Sequence, residues 1–136
     1  MIALRKLINA YLETKISSDR VYYEDAPVET VPPYIIFTFG PATQLDESVE
    51  NVILEINGWD VPADNSTAAL EQLMEDIDGD GDLTDPSGLN QLTLRNDDIS
   101  IQVRRETRLT VPDEDKTIKH KLYTYVVSVY EQETAI

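Results

Sequence analysis

The sequence predicts a single α+β domain over residues 1–136, a mostly antiparallel sheet with two helices packed on one face, in the order α-β-β-β-α-β-β-β. Three observations carry this. Two stretches repeat apolar residues at helical spacing: Leu4, Leu7, Ile8, Tyr11 and Leu12, then Leu70, Leu73, Met74 and Ile77. Between and after them run segments rich in β-branched and aromatic residues, bounded by Pro, Gly, Asn and Asp. A hydrophobic fraction of 41% in 136 residues is enough to close one core, and no internal repeat or low-complexity linker suggests a second.

The first helix occupies about the first fourteen residues, with Arg5, Lys6, Asn9 and Glu13 interrupting its apolar face. A short strand follows at Val21, Tyr22 and Tyr23. Pro27, Pro32 and Pro33 then hold an extended connection and remove backbone donors. Residues 34–39 form a strong strand that Gly40-Pro41 is expected to stop. After a polar loop with Asp46 and Glu47, Val52, Leu54 and Ile56 alternate with Ile53, Glu55 and Asn57 as a half-buried antiparallel strand. Asp64, Asn65 and Ser66 offer cap oxygens before the second helix, which ends near Asp78-Gly79. Residues 91–95 and 99–105 form a hairpin about Asn96-Asp97-Asp98. Leu109-Thr110-Val111 extends or follows it, and residues 118–130 make the last long strand. Trp59 and the late tyrosines fall in the core or on the sheet surface.

Eleven Lys and Arg against twenty-six Asp and Glu give a net charge of −15, which opposes non-specific binding to nucleic acid or anionic lipid. The absence of cysteine excludes disulfides, thiolate nucleophiles and cysteine metal sites, and agrees with a cytosolic chain. Charge interrupts the N-terminal apolar residues too soon for a signal segment, and no run approaches the roughly 20 apolar residues that span a bilayer. A soluble, unexported protein is expected.

Residues 76–87 match a calcium loop through their first eight positions. Asp76, Asp78 and Asp80 stand at ligand positions 1, 3 and 5, with Gly81 at the sharp turn, Asp82 beside it and Leu83 at the apolar position. The match then fails. Ser87 stands where a bidentate Glu closes the coordination sphere, and Pro86 resists the helix that begins there. A solvated acidic turn explains the composition as well, and a loop lacking its last ligand binds calcium only weakly, on the order of millimolar. No cofactor is implied.

His120, the one histidine, lies between Lys119 and Lys121 and reads as an exposed residue on a strand edge, without an identifiable nucleophile or orienting partner. Gly79 and Gly81 lie among aspartates, which repel phosphate. Nothing here has the pattern of an enzyme. Arg95, Arg104, Arg105, Arg108, Lys116, Lys119 and Lys121 fall within residues 95–121, either as ordinary surface charge or as one basic face opposite the acidic loops. A charge-segregated subunit can dock head to tail on a copy of itself and close into a ring.

The helix ending near Leu12, the Val21-Tyr22-Tyr23 strand, the Pro33-Tyr34-Ile35-Ile36-Phe37 strand, the strand ending in Trp59 and the helix over residues 70–77 form an ordered pattern. The late strand with Tyr123, Tyr125 and Val127 completes it. In order, length and punctuation the chain resembles the tail-terminator, or tail-completion, proteins of long-tailed bacteriophages, the lambda U-like group that joins heads to tails. The likeness covers nearly the whole chain.

The resemblance implies a structural virion assembly protein of a phage or prophage, with no catalytic residue to carry over. Its subunits form a homo-oligomeric ring, usually of six, that caps the tail tube protein and faces the head-completion or connector protein. The implied localisation is the virion, and the host cytoplasm during assembly. DNA passes through such a ring without specific binding, so some of the surplus negative charge is expected to line the channel. The contact residues expected are Asp46 and Glu47 in the first loop, Asp80, Asp82 and Asp85 in the second, and Arg104, Arg105 and Arg108 on the basic hairpin. A head-proximal neck adaptor fits the same pattern. From another class, the charge alone also suits an acidic DNA mimic that inhibits a nucleic-acid enzyme, although the basic cluster opposes that reading.

Overall fold

Helix α1 (Ile2–Lys15) turns Leu4, Ile8 and Leu12 to the interior, as their spacing dictates. The structure, a computed structural model, describes residues 2–131. A 3-10 turn at Ser18–Arg20 leads into β1 (Val21–Tyr23), followed by β2 (Tyr34–Gln44), β3 (Val49–Asp60), α2 (Ala68–Asp78), β4 (Thr93–Arg95), β5 (Ile99–Thr110) and β6 (Lys119–Glu131). The fold is α+β and the element order is the one the sequence predicts.

The six strands form one sheet in the order β1-β2-β3-β6-β5-β4. All neighbours are antiparallel except β1 and β2, which run parallel with Val21 opposite Ile35. The sheet is therefore mixed. The proline-bearing connection between β1 and β2 returns the chain to the same end of the sheet without a helix. It is tied by Thr30 N–H to the Pro27 carbonyl at 3.0 Å and by the Arg20 guanidinium to the Pro33 carbonyl at 2.5 Å.

Both helices cover one face. Ile35 and Phe37 of β2, Val52, Leu54 and Ile56 of β3, Tyr123, Tyr125 and Val127 of β6, and Ile99, Ile101 and Val103 of β5 alternate toward them and bury. From α2 come Leu70, Leu73, Met74 and Ile77. Each fully buried aliphatic or Phe side chain contributes about 1.5–3 kcal/mol, which holds the layers together. Gly58 belongs to this layer because a Cβ there would lie 2.6 Å from Met74 Sδ and 2.9 Å from Leu70 Cδ1. The opposite face, with Tyr34, Ile36, Ile53, Trp59 and Leu122 half-buried, carries neither helix.

Two strand ends differ most from the sequence expectation. Gly40-Pro41 does not stop the second strand: Phe39 pairs with Leu54 and Ala42 with Val52, so one extra residue is absorbed as a β-bulge and β2 runs on to Gln44. A proline that lacks a donor is tolerated there because the ladder is already broken. Likewise β5 is continuous to Thr110, with a register shift between Arg105 and Thr107 that leaves Glu106 as the extra residue.

Candidate functional site

Asp78 ends α2 and is only 3% exposed. Its Oδ1 accepts a 2.8 Å hydrogen bond from the Tyr125 hydroxyl, and its Oδ2 pairs with the Arg105 guanidinium. The helix-to-sheet packing makes this meeting possible, since Tyr125 and Arg105 are directly opposed on β6 and β5. Burial first, and then the Asp78 charge, push the Tyr125 hydroxyl far above its ordinary pKa, so it remains a donor through the neutral range. Asp78 thus serves as a structural anchor joining α2, β5 and β6.

The loop after Asp78 closes on itself at its neck. Gly79 (φ +79°) and Gly88 pass so closely that a Cβ on Gly79 would lie 2.2 Å from the Gly88 nitrogen. Leu89 N–H bonds to the Ile77 carbonyl at 2.8 Å and Asn90 N–H to the Asp78 carbonyl at 3.0 Å. Inside the loop, Asp80 Oδ1 accepts from Asp82 N–H at 3.1 Å and Ser87 N–H at 3.2 Å, while Asp82 Oδ1 accepts from Thr84 N–H at 2.8 Å and Asp85 N–H at 3.3 Å. These N–H donors hold the Asp80 and Asp82 carboxyls below the usual range. One oxygen of each of these two carboxyls is turned to backbone N–H groups, and Asp76 Oδ1 accepts from the Gln72 amide at 2.8 Å. Among the described residues no group of three or more His, Cys, Asp or Glu could hold a metal ion.

The basic residues do not share one face. Arg105 and Arg108 oppose Tyr125 and Tyr123 on the helix-bearing side, whereas Arg104 opposes Val126 on the uncovered side. The bulge at Glu106 is the physical reason: it resets the alternation, so residues three apart face the same way. Arg105 and Arg108 line a cleft with Glu75, Asp76 and Asp80. Asp46 and Glu47 lie in the exposed β2–β3 turn, where Asp46 Oδ1 accepts from Ser48 N–H at 2.8 Å and its carboxyl is held low by that bond. Asp85 is exposed in the α2–β4 loop.

His120 sits on interior strand β6 rather than on an edge, because β3 and β5 flank it. Its ring stacks on Trp59 at 3.6 Å and 14°, and its Nε2 lies 2.7 Å from Asn57 Oδ1. Those neighbours fix the ring in place. Sequence reasoning missed Tyr125 and Asn90, whose Oδ1 accepts the Arg105 N–H at 3.1 Å; their partners are far along the chain, and no local pattern marks them.

No protein-family model matches the chain. No curated protein matches it either. Among solved structures it is similar to a chain of the "Virion of native gene transfer agent (GTA) particle", with a TM-score of 0.54 and 11% sequence identity. The alignment covers 97% of this chain and 100% of that one. At that identity the likeness is one of fold.

Proposed function

We propose that this protein is a structural virion assembly protein of a phage, prophage or phage-like particle. In this reading its subunits form a ring that ends the tail tube and joins it to the head connector. The observation that carries the reading is the fold shared with a virion chain over 97% of this chain and 100% of that one. The finer assignment to the end of the tail is supported by the order and punctuation of the sequence, which resemble those of tail-terminator proteins. The role needs no catalysis, and we assign none. Its partners are further copies of itself, the tail tube protein and the connector, with DNA passing through unbound.

The test is deletion of the gene from its phage or prophage, followed by electron microscopy of the particles. Overlong tail tubes beside unjoined heads are the expected result. Tails of normal length that fail to join heads would instead indicate a neck adaptor. Intact particles would contradict both.

A further inference from the structure

Each outer flank of the sheet is only half covered. Strand β1 pairs with β2 at Ile35, Ile36 and Phe37, and beyond them residues 39–44, paired with β3 on their inner side, have no neighbouring strand on their outer side among the described residues. On the other flank β4 pairs with β5 at residues 100–102, and Leu92, Gln91 and Asn90 continue that cover to Arg105. Residues 106–110 then lie open and exposed. An open edge presents unpaired N–H and C=O groups, a template for another strand.

The two open edges match each other. Leu45 N–H bonds inward to the Val49 carbonyl, so by alternation Gln44 and Ala42 point their backbone groups outward. Val111 N–H bonds inward to the His120 carbonyl, so Thr110 and Arg108 point outward. Ala42 opposes buried Val52 and Arg108 opposes buried Tyr123, which puts both side chains on the helix-bearing face. Strands β2 and β5 also run in opposite directions within the sheet. Joined edge to edge, they make an antiparallel ladder with matching faces.

Charge and apolar surface agree with this. The β2–β3 hairpin carries Asp46, Glu47 and Glu50 and no Lys or Arg, while β5 carries Arg104, Arg105 and Arg108 against one acid, Glu106. Leu45 (59% exposed) and Leu109 (54%) stand uncovered, one at each edge. We propose that copies of this chain associate edge to edge, the open end of β2 in one subunit pairing antiparallel with the open end of β5 in the next, Ala42 opposite Arg108. The choice of a second copy as partner rests on the ring reading above.

The stagger fits closure. Ala42 is level with Val127 through Val52, and Arg108 is level with Tyr123, four positions along β6. Four residues at ~3.3 Å give ~13 Å of offset across four strands spaced ~4.8 Å, or ~19 Å. Level subunits then require strands tilted by about 35°, within the range of closed barrels. Because the two surfaces differ, the contact is head to tail, as a ring demands.

The chain has no cysteine, so introduced pairs can be cross-linked cleanly. Ala42→Cys combined with Arg108→Cys, oxidised across a concentration series, is expected to give a ladder of disulfide-linked oligomers on a non-reducing gel. Ala42→Cys with Thr93→Cys is expected to give none. Ala42→Pro removes the outward donor and is expected to abolish oligomers by mass measurement, with a cooperative thermal melt retained. Oligomers that form without the 42–108 cross-link overturn edge pairing and leave the ring reading standing. A folded monomer up to the millimolar range, uncross-linked, also overturns edge pairing, and the gene deletion then judges the ring reading separately.

Discussion

The Tyr125 hydroxyl reaches across the core to Asp78 Oδ1 at 2.8 Å, tying the central strand β6 to the end of α2. Arg105 completes the group from β5, so three elements meet at one buried carboxylate. Removing one partner of such a cluster leaves the others desolvated and unpaired.

Asp78→Ala is expected to lower unfolding stability by about 3 kcal/mol, the lower end for a broken buried pair, because Arg105 at 27% exposure retains some water. Tyr125→Phe removes one hydrogen bond to a charged group and is expected to lose about 1.5 kcal/mol. Urea denaturation of both variants checks the order. Equal stability of Asp78→Ala and the parent would contradict the anchor.

Gly58→Ala inserts a methyl group against Met74 Sδ and Leu70 Cδ1. Overpacking there is expected to destabilise by about 1–3 kcal/mol, measurable in the same denaturation. Gly88→Ala meets backbone instead, 2.4 Å from the Gly79 nitrogen, and is expected to disrupt the loop neck more severely. Amide exchange at Leu89 and Asn90 would register the disruption.

Burial lowers the His120 pKa below its usual value, with the Asp113 charge opposing more weakly. A base with a depressed folded pKa contributes no pH dependence above the unfolded value of about 6.5 and destabilises the fold as pH falls below it, since the unfolded chain takes the proton first. NMR titration of this single histidine is expected to give a midpoint below 6.5, with Trp59 fluorescence changing over the same range because the rings stack. A midpoint above 6.5 would contradict the packing described here.

The carboxyls of Asp80 and Asp82 already accept backbone N–H groups, and Asp78 is taken by Tyr125 and Arg105. Calorimetric titration with calcium is therefore expected to show no binding tighter than on the order of millimolar. Micromolar affinity would mean that the loop reorganises around the ion.

Much of the fold is legible in periodicity. Leu4, Ile8 and Leu12 on α1 and Leu70, Met74 and Ile77 on α2 announce their buried faces, and Val52, Leu54 and Ile56 announce theirs. What the sequence hides is non-local. Gly40-Pro41 carries the local chemistry of a strand end, yet β3 supplies partners on both sides of it and the strand continues through a bulge. Glu106 has no distinguishing character, yet it decides that Arg105 and Arg108 share a face and Arg104 does not. The parallel pairing of β1, and the roles of Asp78 and Tyr125, depend on residues far away in the chain. The acidic loop displays its carboxylates in sequence, but only the backbone geometry tells where their oxygens point.

The most direct measurement of the central claim is immunogold labelling of intact particles with antibody against this chain. The account predicts label at the junction between tail and head. Label along the tail shaft, at the distal tip, or absent from purified particles that contain every other virion protein would contradict it.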